Sequence, residues 1–199
     1  MIPVLILAAG QSSRMRGTDK LMCDVHGVPL LRRQIDMAEG IGPIYVALPP
    51  NNPARIAALD GTTAIPLIVS ESSEGMGGTM RGAVAQLPEC AAFMIILGDL
   101  ISLNTNDLRD VLDSMTAHPK NVIWRGASSD GQPGHPIIFD SSLRPAFADL
   151  HGDNGGESIV KPLASRTYLH RFNDNRARHD LDTPEDWSAW RAASDRHSP

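Results

Sequence analysis

Hydroxyl and basic side chains cluster just after the first apolar segment of the chain. The segment Val4–Leu7 is apolar throughout and predicts a buried strand. Gly10 then permits a sharp turn, and the following residues bring hydroxyls and three cations: Ser12, Ser13, Arg14, Arg16 and Lys20. We call residues 8–20 the opening loop. Its spacing matches neither the Walker A loop nor the Gly-x-Gly-x-x-Gly fingerprint. Its composition is typical of a polyphosphate site, and the alternative is a surface turn with scattered charges.

Two aspartates at the ends of predicted elements are candidate metal ligands. Asp99 follows the apolar run 93–97, where a carboxylate can hold a divalent cation against phosphates or can cap the next helix. Asp182 precedes Thr183 and Pro184, which are typical of a helix start. Thr183 can cap that helix while Asp182 faces the metal. The sequence therefore predicts a divalent-metal site beside the opening loop.

The composition limits the classes of protein to which the chain can belong. It has 199 residues and a net charge of −5, which argues against a general nucleic-acid binder. Cys23 and Cys90 lie far apart and form no metal spacing and no disulfide framework. The N-terminal apolar run is too short to cross a membrane, so we expect a cytoplasmic protein without a membrane segment. We expect a single domain over residues 1–191 and a frayed tail over 192–199.

Strand and helix patterns alternate along the chain. The apolar runs that predict strands lie at residues 4–7, 44–48, 66–69, 93–97, 121–124 and 136–139. This alternation predicts an α/β protein with three layers, α/β/α, and a mostly parallel sheet. Ligands of such sheets bind at the carboxyl ends of the strands. The glycine-rich segment 75–79 follows one of these strands, and its backbone N–H groups could meet an anionic or nucleobase ligand.

These segments together resemble the small nucleotidyltransferases of molybdenum-cofactor maturation, particularly the molybdenum cofactor cytidylyltransferases. The opening Leu-Ala-Ala-Gly-x-Ser-x-Arg-Met, with the Lys that follows it, is similar to the family signature. Later segments match family landmarks in order, at residues 75–84, 98–99, 131–136, 152–156 and 182–184. The resemblance covers nearly the whole chain, and Gly-His-Pro at 134–136 indicates the cytidylyl branch.

The resemblance implies a Rossmann-like nucleotidyltransferase fold. It also implies in-line transfer of CMP from CTP to the phosphate of a molybdopterin-type cofactor, with release of pyrophosphate. The implied catalytic residues are Arg14, Lys20 and Asp99, and Mg²⁺ would be held by Asp99 and Asp182. The nucleotide would lie between the opening loop and the glycine-rich segment, bound by Ala8, Ala9, Gly10, Ser12, Gly75, Gly77, Gly78 and Thr79. His135 would either contact the pterin or phosphate of the acceptor or only shape a turn.

Two positions bear on specificity. Family members that use GTP tend to have Leu-Ala-Gly-Gly at the opening turn, so Ala9 predicts a preference for CTP. Family members commonly have Ala-Arg after Gly-Asp-x-Gly, whereas this chain has Glu157, which should disfavour an anionic acceptor there. Two alternatives remain open. One is nucleotidyl transfer from GTP, UTP or CTP to another phosphorylated acceptor, and the other is a non-catalytic nucleotide- or cofactor-binding assembly factor for a molybdoenzyme.

Overall fold

The computed structural model describes residues 1–194 and contains a central β-sheet. The strands in this range are β1 (Val4–Leu7), β2 (Asp24–Val25), β3 (Val28–Pro29), β4 (Ile44–Leu48), β5 (Ile65–Ile68), β6 (Ala92–Leu97), β7 (Ile123–Ala127), β8 (Pro133–Asp140) and β9 (Thr167–Arg171). Seven of them form one sheet in the order β5-β4-β1-β6-β8-β7-β9. The remaining two, β2 and β3, pair with each other in a separate antiparallel hairpin.

The large sheet is parallel except at β8. Strand β1 runs parallel to β4 and β6, β4 to β5, and β7 to β9, whereas β8 is antiparallel to both of its neighbours. Ile95 of β6 pairs with Ile137, so the start of β8 lies at the carboxyl end of β6. The prediction of a mostly parallel sheet is confirmed.

Helices cover both faces of this sheet. They are α1 (Leu30–Ala38), α2 (Pro53–Ala57), α3 (Met76–Gln86), α4 (Thr105–Ala117), α5 (Glu157–Val160) and α6 (Pro184–Ser194). Val4 and Ile6 of β1 belong to a core cluster that contains side chains of α1 and α4, whereas Leu5 and Leu7 belong to a second cluster with side chains of α3. Because both faces of β1 are buried, every residue of this strand is apolar, and the three-layer prediction is confirmed.

Two element boundaries near the predicted site differ from those expected. The sequence pattern predicts a helix from about Gly78 to Leu87, but α3 begins at Met76, so Gly77 and Gly78 lie inside its first turn. Strand β8 begins at Pro133, so His135 lies within the sheet. The Gly/Pro-rich stretch before residue 136 predicts a connection by its composition, but pairing with β7 extends the strand through it.

The C-terminal helix begins with the expected capping box. The N–H of Asp186 donates to Oγ1 of Thr183 at 3.2 Å, and the N–H of Thr183 donates to Oδ2 of Asp186 at 2.9 Å. Residues 192–194 of the predicted frayed tail form the end of α6, and residues 195–199 lie outside the described part of the chain. No helix in residues 1–194 has the length and apolar character needed to cross a bilayer.

Candidate active site

A cleft of about 600 Å³ opens at the carboxyl ends of β1 and β6. The opening loop forms one wall, and the segment 72–79 forms the opposite wall through residues 72–76 and Thr79. Asp99, Asp180 and Asp182 also line the cleft. The predicted site residues that line it are Ala9, Gly10, Ser12, Arg14, Lys20, Gly75, Thr79, Asp99 and Asp182. Those that lie outside the lining are Ala8, Gly77, Gly78 and His135. The location follows the general rule that ligands of open α/β sheets bind at strand carboxyl ends.

The opening loop folds back on itself. Ser12 and Arg16 adopt left-handed backbone conformations, with φ of 51° and 52°, which turn the chain sharply. The N–H of Lys20 donates to Oγ of Ser12 at 3.2 Å and closes the loop. A hydroxyl that accepts one bond can still donate its own hydrogen, so Ser12 can shape the loop and also bind an anion.

The ammonium group of Lys20 joins the two predicted metal ligands. Its Nζ lies 2.6 Å from Oδ2 of Asp99 and 2.7 Å from Oδ1 of Asp182. Nη1 of Arg14 lies 2.6 Å from Oδ2 of Asp182. Burial alone would lower the pKa of Lys20, but the two carboxylates outweigh burial and raise that pKa, so the ammonium stays charged. Lys20 and Arg14 together thus balance the charge of two carboxylates that would otherwise repel each other.

A third aspartate completes an acidic cluster that fits a divalent cation. Asp99, Asp180 and Asp182 each offer one carboxylate oxygen, and these oxygens lie within 4.8 Å of one another. Oδ1 of Asp99 is buried and has no hydrogen-bond partner among the described residues, which is uncommon for a buried acceptor. Desolvation and the negative charges of Asp182 and Asp99 raise the pKa of Asp180. Because hard divalent cations prefer carboxylate oxygens, the residues present fit such an ion.

Sequence reasoning missed Asp180 as a member of this cluster. Side chains two residues apart in an extended segment point the same way. Leu181, between the two aspartates, is 3% exposed and faces the core. The alternation of Asp180, Leu181 and Asp182 was therefore a usable signal for a pair of carboxylates on one side of the chain.

Backbone hydrogen bonds tie together the two segments that carry the aspartates. The N–H of Ile101 donates to the carbonyl of His179 at 3.0 Å, and Leu100 pairs with Asp180 in an antiparallel bridge. The fully buried Gln34 of α1 donates from Nε2 to the carbonyl of Leu100 at 2.8 Å. These bonds bring residues far apart in sequence to one edge of the sheet and fix the acidic cluster.

The glycines of the opposite wall divide into two groups. Gly75 lines the cleft with φ of 108°, and Thr79 donates from Oγ1 to its carbonyl at 3.0 Å. The N–H of Gly77 donates instead to the carbonyl of Gly152 at 2.8 Å. A Cβ on Gly78 would lie 2.2 Å from the Glu71 carbonyl oxygen. The structure therefore places Gly77 and Gly78 against neighbouring backbone, where α3 packs closely.

The remaining two predicted contacts, Ala8 and His135, are also absent from the lining of the cleft. Ala8 is 1% exposed, and its carbonyl accepts a hydrogen bond from Arg55 at 2.6 Å. Nδ1 of His135 lies 3.3 Å from the carbonyl of Ile95. Burial, together with the positive charge of Arg125, lowers the pKa of His135 to about 4, so its imidazole is neutral at physiological pH.

Glu157 has a partner that the sequence did not reveal. Nη1 of Arg125, whose side chain is 5% exposed, donates to Oε1 of Glu157 at 2.8 Å. Nε of the same guanidinium donates to the carbonyl of Gly134 at 3.1 Å. The expectation that Glu157 repels an anionic acceptor treats this carboxylate as unpaired, whereas the nearby cation offsets its charge.

Residues 4–169 match the family model described as a MobA-like NTP transferase domain. The chain belongs to this family. A curated relative is the molybdenum cofactor guanylyltransferase of Serratia proteamaculans, which is 24% identical over 189 residues that cover 94% of this chain and 92% of the relative. This MobA-like protein is therefore a nucleotidyltransferase, in agreement with the sequence prediction at that level.

Solved structures of similar chains agree in fold with this MobA-like protein. The crystal structure of Rv0371c from Mycobacterium tuberculosis H37Rv is 27% identical, with a TM-score of 0.75 over 96% of this chain and 97% of that one. A structure of the same mycobacterial protein in complex with manganese is 25% identical, with a TM-score of 0.70 over 94% and 96% of the two chains. Nucleotidyltransferases of this kind use divalent metals, which the three-aspartate cluster suits.

Proposed function

We propose that this protein transfers CMP from CTP to the phosphate of a molybdopterin-type cofactor and releases pyrophosphate. The observation that carries the proposal is a single cleft in which the cations of the opening loop meet three aspartates, one after β6 and two in the segment before α6. The acceptor is inferred from the family and from the Serratia relative, which is named a molybdenum cofactor guanylyltransferase.

In this proposal the opening loop holds the triphosphate. Arg14 and Lys20 supply positive charge for phosphate oxygens, and the hydroxyl of Ser12 can donate to one of them. A Cβ added at Gly10 would meet nothing within 4 Å, so there is space here for the backbone to approach a ligand. To reach the phosphates, Lys20 exchanges carboxylate oxygens for phosphate oxygens as partners.

The attacking group is already an anion, so the reaction needs no strong general base from the protein. The contribution of the chain is alignment of the two substrates and neutralisation of charge on the leaving pyrophosphate. A divalent cation, which we propose is Mg²⁺, would neutralise phosphoryl oxygens when bound. Asp99, Asp180 and Asp182 would hold it, and Lys20 competes with it for two of these carboxylates.

The choice of CTP depends on Ala9. This residue lines the cleft and is 3% exposed, so its methyl group is packed where a glycine would leave room for a larger base. One methyl group in a pocket discriminates by about 1–3 kcal/mol, which predicts a preference and not an absolute selection. The guanylyltransferase name of the Serratia relative favours GTP as the second candidate.

The experiment is release of pyrophosphate from each NTP, with Mg²⁺, in the presence and absence of purified molybdopterin cofactor. We expect release from CTP that depends on the cofactor and exceeds release from GTP at equal concentration. The Asp99→Asn variant, with a side chain of the same size and no charge, is the control and should lose turnover while it keeps its fold.

The other results distinguish the alternatives. Preferential consumption of GTP would overturn the cytidylyl assignment while the acceptor class stands. Turnover with a sugar phosphate but not with the molybdopterin cofactor would overturn the acceptor. Tight binding of nucleotide and cofactor without turnover would instead support an assembly factor that serves a molybdoenzyme.

A further inference from the structure

A buried arginine outside the cleft forms hydrogen bonds with both ends of the opening loop. Arg55 lies in α2, and its side chain is 3% exposed. Nη1 donates to the carbonyl of Ala8 at 2.6 Å. Nε and Nη2 donate to the two carboxylate oxygens of Asp19, each at 2.8 Å. One guanidinium therefore connects the residue that follows β1 with the residue that precedes Lys20.

Asp19 connects Arg55 to the backbone that carries Lys20. Oδ1 of Asp19 accepts from the N–H of Leu21 at 3.0 Å and caps the short helical turn that begins at Lys20. Burial would raise the pKa of Asp19, but the hydrogen bonds and charge of Arg55 outweigh burial and hold that pKa below its usual value. The Asp19 carboxylate is thus ionised at neutral pH, and its bidentate pair with Arg55 persists.

Local geometry alone does not fix the loop between these two ends. Residues 9–18 contain one three-residue helical turn, Ser13–Met15, flanked by the left-handed residues Ser12 and Arg16. A short loop of this kind has many alternative conformations unless its ends are held. Arg55 holds those ends through a planar fork of donors that a lysine cannot reproduce.

We infer that Arg55 is a positioning residue, which fixes the opening loop so that Lys20 and Arg14 meet the triphosphate. It acts through Asp19 and Ala8, and its own side chain does not line the cleft in which the triphosphate would lie. The inference needs nucleotidyl transfer, which the family supplies, but not the identity of the base or acceptor. A displacement of about 1 Å in a positioning group can cost about 100-fold in rate. Loss of the contacts of Arg55 with Ala8 and Asp19 should therefore lower the rate of turnover.

The test compares Arg55→Lys with a matched control, Arg144→Lys. Arg144 also donates to backbone carbonyls, those of Val84 at 2.9 Å and Pro88 at 2.8 Å, but at the far end of α3. Both substitutions keep the positive charge, so a difference between them reports the geometry of the guanidinium and not the net charge. Three measurements apply: calorimetric titration with inorganic triphosphate, steady-state kinetics with the NTP that the wild type uses fastest, and hydrogen exchange of residues 9–18.

We expect Arg55→Lys to lower kcat/KM by about 100-fold, to weaken binding of inorganic triphosphate, and to raise hydrogen exchange in residues 9–18 but not in β6. Arg144→Lys should leave all three unchanged. Equal behaviour of the two variants, or normal triphosphate binding by Arg55→Lys, would overturn the inference.

A second variant covers the case in which Arg55→Lys does not fold. Asp19→Asn keeps Arg55 and its bond to Ala8 but removes the carboxylate charge, and the Asp19 side chain is 27% exposed. It should show the same losses in smaller degree, and unchanged triphosphate affinity would contradict the positioning role. If the proposed cytidylyl function is wrong, the wild type will consume other substrates. If this inference is wrong, the wild type and the Arg55→Lys variant will have equal kcat/KM on whichever substrate the wild type uses.

Discussion

The two walls of the cleft use glycine differently. A Cβ added at Gly10, which lines the cleft in the opening loop, would meet nothing within 4 Å. On the opposite wall, a Cβ at Gly77 would lie 2.8 Å from backbone atoms of His151 and Asn154. Glycine in the opening loop leaves space that a ligand can use, whereas Gly77 allows two backbone segments to pack against each other.

The walls also differ in what holds them. Ion pairs of side chains, such as those of Lys20 with Asp99 and Asp182, hold the opening loop and can be exchanged for contacts with a ligand. Backbone bonds within and beside α3 hold the other wall, for example the bond from Gly77 to Gly152. We therefore expect changes on the first wall to alter kinetics and changes on the second to alter stability.

Lys20→Met should show the largest effect. We expect kcat to fall by about 100- to 1,000-fold, the usual loss when a group that stabilises transition-state charge is removed. The variant should bind Mn²⁺ more tightly than the wild type, because the ammonium no longer competes for Asp99 and Asp182. Steady-state kinetics and calorimetric titration with Mn²⁺ measure the two effects. Unchanged turnover would mean that the opening loop is a scaffold and that the contrast between the walls fails.

Gly77→Ala tests the second wall. The added methyl group must displace neighbouring backbone, and overpacking of this kind destabilises a protein by about 1–3 kcal/mol. Alanine is the better helix former, which offsets up to about 1 kcal/mol of this loss. We expect the free energy of unfolding to fall by roughly 1–2 kcal/mol in urea denaturation. The KM for NTP should change little at a temperature where the variant is folded. A kinetic defect without loss of stability would place Gly77 among the ligand contacts.

Ala9→Gly sharpens the contrast within the first wall. Loss of one methyl group should shift the preference between CTP and GTP toward GTP by about 5- to 150-fold, the equivalent of about 1–3 kcal/mol. Competition between the two nucleotides at equal concentration measures the shift, with wild type assayed in parallel. An unchanged ratio of CTP to GTP consumption would show that Ala9 does not contribute to selection of the base.

Gly10→Ala should have the smallest effect on stability and is the matched partner of Gly77→Ala. Because its Cβ would meet nothing within 4 Å, we expect the free energy of unfolding to stay within about 0.5 kcal/mol of the wild type. The KM for NTP should rise, since the methyl group enters space that the ligand uses. A marked loss of stability would show that both walls depend on packing.

The fold was largely predictable because its signal is local and repeated. Alternating apolar runs and helical patterns indicate a three-layer α/β protein, and the uniformly apolar β1 reflects burial on both faces. The positions of the opening loop and Asp99 after their strands were sufficient to place them at the same edge of the sheet. Boundaries near glycine and proline were less predictable, since strand pairing and helix packing overrode the local turn preference at Gly134 and Gly77.

The sequence by itself determined which groups are available for chemistry: the cations of the opening loop, Asp99 after its strand, and Asp182 before its helix. The tertiary structure decided which of these groups meet. Arg55 contacts Asp19 across 36 positions and Ala8 across 47, and Lys20 reaches Asp182 across 162. Residue type and periodicity encode neighbours within a strand or helix, but contacts of this range depend on how several elements pack around one sheet edge. For that physical reason the contacts of Arg55 with both ends of the opening loop became visible only in the folded chain, whereas Asp180 left a signal in the alternation of residues 180–182.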